Sequence, residues 1–129
     1  MTFVLLVVAV SYLSTSMPSV PANLHLNSKG ETCRVSWYKH GKIMANGQRF
    51  HPNSRTTVAH RTLPFGTKVL MVNPKTGRYL VCKVQDRGPF VKGVEYDLAQ
   101  GVAKYLGVTK DKAKHPKLKV WVLSQSRDG

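Results

Sequence analysis

One carboxyl group stands where a predicted strand would aim it. The segment 85–90 reads QDRGPF, and the apolar run 79–84 before it has the composition of a β-strand. Gly88 and Pro89 then turn the chain away. Because a strand fixes the direction of the side chain at its end, Asp86 is a candidate general acid or base. Carboxylates are also scarce, since the chain has 6 Asp and Glu against 20 Lys and Arg.

The two cysteines allow two interpretations. Cys33 and Cys82 both fall in predicted strands. In an exported protein they would form one disulfide, whereas two buried free thiols would serve equally well in a reducing compartment. The chain has no C-x-x-C motif, and His40, His51 and His60 have no cysteine partners at ligand spacing. The sequence therefore predicts no metal centre and no cofactor.

Five short segments that are rich in β-formers must position these groups: TCRVSWY, TTVAH, TKVLMVN, RYLVCKV and LKVWVL. The third and fourth are joined by PKTG, which is typical of a hairpin turn, while residues 39–55 have the Gly, Asn and Pro content of a long functional loop.

A single helix is predicted after these first strands. Asp97 is its expected N-cap and Gly107 its expected end. Between them, four apolar residues recur at helical spacing: Leu98, Val102, Tyr105 and Leu106. Short strands with one small helix indicate a small closed β-barrel.

Length and charge limit the class of protein. With 129 residues, the chain has room for one domain, and its formal net charge of +14 implies an anionic partner. The uncharged run 2–13 has the length of a signal peptide. We expect a signal peptide or N-terminal anchor at 1–22, a lead-in at 23–32, the barrel at 33–124 and a tail at 125–129. No cysteine follows the run directly, so a lipid anchor is not predicted.

Several motifs occur in the order seen in a known family: SWY, MANGQRF, AHRTLPFGTKV, DRGPF and YDLAQGVAKYLG. Together they resemble the rare lipoprotein A family, which comprises septal-ring lytic transglycosylases. The resemblance runs from Ser36 to Leu123 and implies an all-β fold, a six-stranded double-psi β-barrel with one short helix. It also implies a substrate, the glycan strands of peptidoglycan that have lost their peptide stems.

The resemblance assigns roles to particular residues. It makes Asp86 the catalytic carboxylate and His60 its supporting residue. We expect the substrate groove to be lined by Tyr38, Asn46, Gln48, Phe65 and Arg87. Members of the family usually carry acidic residues at the positions that Gln48 and His51 occupy here.

The number of acidic residues bears on the reaction type. Hydrolysis of a glycosidic bond generally uses two carboxyl groups, and Glu95 is the only candidate for a second one near Asp86. A lytic transglycosylase needs one, which acts first as acid and then as base while the 6-hydroxyl of muramic acid attacks the anomeric carbon. The main hypothesis is thus an exported endolytic transglycosylase, periplasmic or secreted, that cleaves the MurNAc–GlcNAc bond and leaves 1,6-anhydromuramic ends.

Gln48 favours an alternative hypothesis, a non-catalytic, expansin-like module that binds or loosens the wall through the same groove. In either case we expect a monomer that is attracted to an anionic wall polymer. Nucleic acid is not an expected partner, because the chain has the basicity but no recognised binding motif.

Overall fold

The computed structural model describes residues 30–110 and 114–124. Within them lie six strands and one helix: β1 (Glu31–Tyr38), β2 (Thr57–His60), β3 (Lys68–Val72), β4 (Tyr79–Asp86), β5 (Tyr96–Ala99), α1 (Gln100–Leu106) and β6 (Lys117–Ser124). The signal peptide or anchor expected at 1–22, most of the lead-in and the tail lie outside the described residues.

The strands form a closed barrel in the order β1-β5-β2-β4-β3-β6. Two of the neighbouring pairs, β1 with β5 and β2 with β4, are parallel, and the other four are antiparallel. Closure leaves the six described strands without an unpaired sheet edge. The predicted all-β barrel with six strands and one short helix is therefore confirmed.

The hairpin between β3 and β4 closes as its turn residues predict. Val72 pairs with Tyr79, and Gly77 adopts the left-handed conformation, with φ 79°, that glycine tolerates. Asn73 fastens this turn to the end of the helix, because its Nδ2 donates to the carbonyl of Leu106 at 2.6 Å. The hairpin and α1 thus form one end of the barrel.

The barrel interior is filled by branched apolar side chains. Val35, Val58, Val84 and Leu98 come from four different strands and are fully buried. Burying a side chain of this size is worth about 1.5–3 kcal/mol. These contacts hold together strands that are far apart in sequence.

The helix starts later than the sequence predicts. Residues 96–99 form β5, so Asp97 is a strand residue, and its Oδ1 accepts a hydrogen bond from Ser36 Oγ at 2.9 Å. The N-cap is Ala99, which has no side-chain cap. Leu98 faces the barrel rather than a helix partner because the closed ring needs a strand between β1 and β2. The predicted end is confirmed, since Gly107 is the left-handed C-cap.

Of the two interpretations of the cysteines, the structure shows buried free thiols at Cys33 and Cys82 and not the disulfide. Their strands, β1 and β4, lie opposite each other, three places apart in either direction around the ring. Six strands spaced about 4.8 Å apart make a ring about 10 Å across. A disulfide requires Cα atoms within about 7 Å, so the barrel keeps the two sulfurs apart.

In the described ranges, the single helix has seven residues, and none is long and apolar enough to cross a bilayer.

Candidate active site

A β-bulge directs Asp86 at the end of β4. Val58 pairs with Val84, but the next residue of β2, Ala59, pairs with Asp86, so Gln85 is an extra residue on β4. A bulge of this kind turns the side chains beside it and commonly lies next to functional sites. The sequence correctly placed Asp86 at the end of a strand, but it gave no sign of the bulge.

Three donors hold the Asp86 carboxyl group. Oδ1 accepts the backbone N–H groups of Ala45 and Arg87, each at 2.9 Å, and Oδ2 accepts the hydroxyl of Tyr38 at 3.0 Å. Two donors on Oδ1 leave Oδ2 as the oxygen that can carry and release a proton. Tyr38, one of the predicted groove residues, is therefore in direct contact with Asp86.

Tyr38 is the last residue of β1, and its ring stacks on Phe50 with centroids 4.5 Å apart. Burial, and next the neighbouring Asp86 carboxylate, raise the pKa of the Tyr38 hydroxyl well above its usual value. The hydroxyl therefore remains protonated and continues to donate to Asp86.

The loop 41–50 brings the Ala45 N–H to Asp86. Two buried side chains, Met44 and Phe50, anchor it to the core. Its backbone closes on itself, because Met44 N donates to the Gln48 carbonyl at 2.8 Å and Phe50 N to the Lys42 carbonyl at 2.8 Å. A rigid loop is needed here, since it supplies a backbone donor rather than a side chain.

Two further predicted groove residues belong to a chain of polar contacts beside Asp86. Gln48 Oε1 accepts from Asn46 Nδ2 at 3.3 Å and from Gln85 Nε2 at 3.1 Å. Gln85 Oε1 in turn accepts the hydroxyl of Thr57 at 2.8 Å. Gln48 is therefore linked to the residue that immediately precedes Asp86.

His60 orders the loop 61–66. Its Nδ1 accepts from the backbone N–H groups of Thr62 and Leu63, at 3.1 and 3.0 Å. Burial lowers the pKa of the His60 imidazole below its usual value, so the neutral ring that can accept these bonds is favoured. These contacts position a loop, and the catalytic role expected for His60 stays a prediction.

The side chain of Arg87 packs against Phe65, which belongs to the loop 61–66. The guanidinium carbon of Arg87 lies 3.9 Å from the centre of the Phe65 ring. Its Nη1 donates to the carbonyls of His60 and Leu63, at 3.2 and 2.9 Å. Arg87 thus gives Asp86 only its backbone N–H, while its charged group is directed to the 61–66 loop.

Glu95, which the sequence offered as a second carboxylate for the site, lies beside Glu31 and Cys33. Among the described residues, Glu95 groups with Glu31 and Cys33, and their potential ligand atoms all lie within 4.8 Å of one another. Burial, and next the charge of Glu95, raise the pKa of the Cys33 thiol to about 12. Sequence spacing did not reveal this group. It contributes no hydrogen bond to Asp86.

Exposed apolar side chains are concentrated in the loops next to Asp86. Four of the five exposed ones in the described chain lie in the loops that border it: Ile43, Phe65, Phe90 and Val91. Phe90 is 83% exposed, and its loop is held by Arg61, whose Nη1 donates to the carbonyls of Pro89 and Val94 at 2.9 and 2.7 Å. The loops next to Asp86 therefore offer exposed apolar surface in addition to the polar chain through Gln48 and Gln85.

Sequence reasoning missed four contributors to the site. Thr57 and Gln85 belong to the polar chain, Phe50 supports Tyr38, and Ala45 gives its N–H to Asp86. No residue type marks a backbone donor, so Ala45 had no sequence signal. The Gly of MANGQ marked the loop, and Gln85 lies in the QDRGPF motif, directly before the candidate acid.

Comparison with known proteins identifies the family. A model described as lytic transglycolase matches residues 31–120. The chain is 47% identical over 77 residues to the probable endolytic peptidoglycan transglycosylase RlpA of Synechocystis, covering 57% of this chain and 24% of that protein. It is 34% identical over 99 residues to the endolytic peptidoglycan transglycosylase RlpA of Neisseria meningitidis serogroup A, covering 74% and 41%. The chain thus spans well under half the length of these relatives.

A solved structure shares the fold. The Streptomyces papain inhibitor superposes with a TM-score of 0.55 at 19% identity, covering 78% of this chain and 97% of that one. At this identity the likeness concerns the barrel alone. The family match, which covers most of the chain including Tyr38, His60 and Asp86, is what shows that the chain belongs to the lytic transglycolase family of RlpA-like double-psi β-barrels.

Proposed function

We propose that this chain is an endolytic peptidoglycan transglycosylase that cleaves the MurNAc–GlcNAc bond of denuded glycan strands. The observation that carries the proposal is the carboxyl group of Asp86, which is bound by three donors and lies next to loops with exposed apolar side chains. Hydrolysis would require a second carboxyl group on the other side of the bond. A transglycosylase does not.

Asp86 acts twice in the proposed reaction. Its protonated Oδ2 gives a proton to the glycosidic oxygen as the bond from that oxygen to C1 of the muramic acid breaks. The 6-hydroxyl of the same sugar attacks C1 and forms the 1,6-anhydro ring, and its proton passes to the Asp86 carboxylate. The proton is returned, and no water enters. The N–H groups of Ala45 and Arg87 stay on Oδ1 throughout and keep Oδ2 directed at the bond.

The exposed apolar surface next to Asp86 suits a sugar chain that has lost its peptides. Pyranose rings have apolar C–H faces, and these faces stack on aromatic side chains. Phe90 and Phe65 stand on opposite sides of Arg87 in sequence and are both exposed. The names of the relatives, endolytic peptidoglycan transglycosylases, support the same substrate.

The proposed place of action is outside the cytoplasmic membrane. Peptidoglycan lies there, and it is an anionic wall. A net charge of +14 would draw the protein to such a surface.

Gln48 supports the second candidate, a non-catalytic module of expansin type. Its side chain is an amide that accepts from Asn46 and Gln85, at the position where the family resemblance leads us to expect an acid. In that case the groove would bind glycan without cutting it.

Asp86→Asn tests the proposed reaction. Asn keeps an oxygen for the Ala45 and Arg87 N–H groups, so the fold and glycan binding should persist. Turnover should fall by about 10²-fold or more, the usual contribution of general acid–base catalysis. Mass spectrometry of denuded strands would measure loss of the 1,6-anhydromuramic products.

Glu95→Gln is the matched control, since it neutralises a carboxylate that lies with Glu31 and Cys33 and makes no hydrogen bond to Asp86, so it should retain turnover. Ordinary reducing-end products from the unaltered protein, or inactivity of Glu95→Gln alone, would refute the one-carboxyl mechanism. Glycan binding without any cleavage by the unaltered protein would favour the expansin-type module.

A further inference from the structure

A second concavity lies at the end of the barrel opposite Asp86. It has a volume of about 630 Å³, and its walls include the β3–β4 turn, the start of β1 and the segment before β6. Asp86 is the last residue of β4, whereas the β3–β4 turn precedes the first. Eight strand residues rising about 3.3 Å each put the two places about 23 Å apart. The concavity is therefore separate from the candidate active site.

The walls of this concavity are strongly basic. Five cationic side chains line it: Arg34, Lys75, Lys110, Lys114 and Lys117. None of the described lining residues is acidic. These cations come from several separate segments of the chain, so positively charged side chains line the concavity on several sides. Concentrating like charges around a cleft is unfavourable unless an anion offsets it.

His115, another lining residue, has two energetically unfavourable features, one in its backbone and one in its side chain. Its φ of 49° is the only positive φ of a non-glycine residue in the described ranges. Its Nδ1 is buried with no hydrogen-bond partner among the described groups. Both features are unfavourable and tend to occur at ligand sites, where binding offsets them.

Hydrogen bonds on both sides of His115 join the start of β1 to the segment before β6. Arg34 Nη1 donates to the Lys114 carbonyl at 3.4 Å, and Val35 N donates to the Pro116 carbonyl at 2.9 Å.

We propose that this basic pocket binds an anion carrying two or more phosphate groups. A phosphate presents oxygens in several directions and can meet cations that surround it, whereas a carboxylate presents two oxygens in one plane. A volume of about 630 Å³ is that of a small-molecule site rather than of a single-ion site. The site is independent of the reaction proposed at Asp86.

Titration of the full chain with inorganic tripolyphosphate, by calorimetry and by amide NMR shifts, tests the site. We expect saturable one-to-one binding with shifts at Thr32, Asn73 and Val108, at near-physiological salt. The double variant Lys75→Gln/Lys114→Gln should weaken binding at least tenfold. Lys68→Gln/Lys83→Gln removes the same charge from a paired, exposed position outside the pocket and should change binding less than twofold.

Several results would overturn the proposal. Equal weakening by both double variants would mean attraction to the basic surface as a whole. Citrate binding as tightly as tripolyphosphate would refute the preference for phosphate. Binding of a single-stranded oligonucleotide that depends on Lys75 and Lys114, without binding of tripolyphosphate, would indicate a nucleic-acid surface instead.

A comparison of tripolyphosphate with a phosphodiester, such as a glycerol phosphate oligomer, distinguishes a free oligophosphate from a polymer as the ligand. Tighter binding of either one supports the site.

Discussion

At the scale of single residues, the candidate site depends on the different hydrogen-bond donors that the two carboxyl oxygens of Asp86 receive. Oδ1 receives two backbone donors, and Oδ2 receives only the hydroxyl of Tyr38. Backbone donors cannot rotate away, so Oδ1 is fixed while Oδ2 can exchange its partner with a substrate. One carboxyl group can in this way be both held in place and reactive.

Gln48→Glu should raise turnover by about tenfold and leave glycan affinity nearly unchanged. A carboxylate keeps the acceptor for Asn46 and Gln85, so the loop should be undisturbed. It also places a negative charge near Asp86, which favours a proton on the neighbouring acid. An effect on kcat rather than KM would mean that the charge acts in the transition state. The measurement is the rate of anhydro-product release.

Gln48→Met is the control, because it has similar length but no acceptor, and it should lower turnover. If Gln48→Glu leaves the rate unchanged in a chain that is already active, the amide is a tolerated variation and not a defect.

At the scale of elements, the loops around the site depend on the first turn of α1. Gly101 N donates to the Pro52 carbonyl at 2.8 Å, and the adjacent Ser54 hydroxyl bonds to Thr57, the first member of the polar chain that reaches Gln48. The helix therefore supports the site without contacting Asp86.

Gly101→Ala should destabilise the protein by about 2 kcal/mol or more, although alanine favours a helix by about 1 kcal/mol. A Cβ at this position would overlap the backbone of Asn53 and lie 2.5 Å from the carbonyl oxygen of Ser54. Backbone atoms cannot move aside as a flexible side chain does. Chemical denaturation measures the change.

Gly93→Ala serves as the comparison, since it adds the same methyl group where nothing lies within 4 Å, at φ 82°. It should cost only the left-handed backbone penalty, about 1–2 kcal/mol. Equal or smaller loss for Gly101→Ala would show that the 52–54 loop is not packed against the helix.

A second prediction at the scale of elements concerns how the stability of the protein depends on pH, through the contacts of His60 with the loop 61–66. The pKa of His60 is lowered in the folded state, so the neutral ring contributes stability that is present above its ordinary value near 6.5 and is lost as pH falls. His60→Asn keeps an acceptor for Thr62 and Leu63 but does not titrate. Melting temperatures measured from pH 7.5 to 5.5 should fall less for the variant. Parallel curves would mean that His60 does not couple the loop to pH.

At the scale of the whole molecule, barrel closure separates two ends with different chemistry. One end carries Asp86 next to loops with exposed apolar side chains, and the other carries the basic pocket. The pocket is lined by 5 of the chain's 20 Lys and Arg, and these five are distant from the reacting group.

Closure also predicts the state of the thiols. Both are almost fully buried, and burial raises the pKa of each to about 12, so neither should react with a thiol reagent in the native protein. Both of the chain's 2 cysteines should react after unfolding without reductant. No reactive thiol in the unfolded, unreduced chain would show that the disulfide forms after all.

The sequence by itself determined the elements whose signal is local. Runs rich in β-formers marked five strands, PKTG marked the hairpin, and Gly107 ended the helix, since each depends on neighbours in the chain. The position of Asp86 at the end of an apolar run belonged to the same class. The family resemblance implied a sixth strand but not its position. The pattern assigned Asp97 and Leu98 to the helix, because Leu98 also fits the helical spacing of residues 102–106, and only the structure places the strand at Tyr96–Ala99.

Only the tertiary structure decided what these residues touch. The donors Tyr38 and Ala45 reach Asp86 across 48 and 41 positions of sequence, and the pairing of Ala59 with Asp86 depends on a bulge. The distance between Cys33 and Cys82 depends likewise on the order of strands in the ring. Such contacts follow from closing the barrel as a whole, and no local pattern encodes them because each involves residues that are neighbours only after closure.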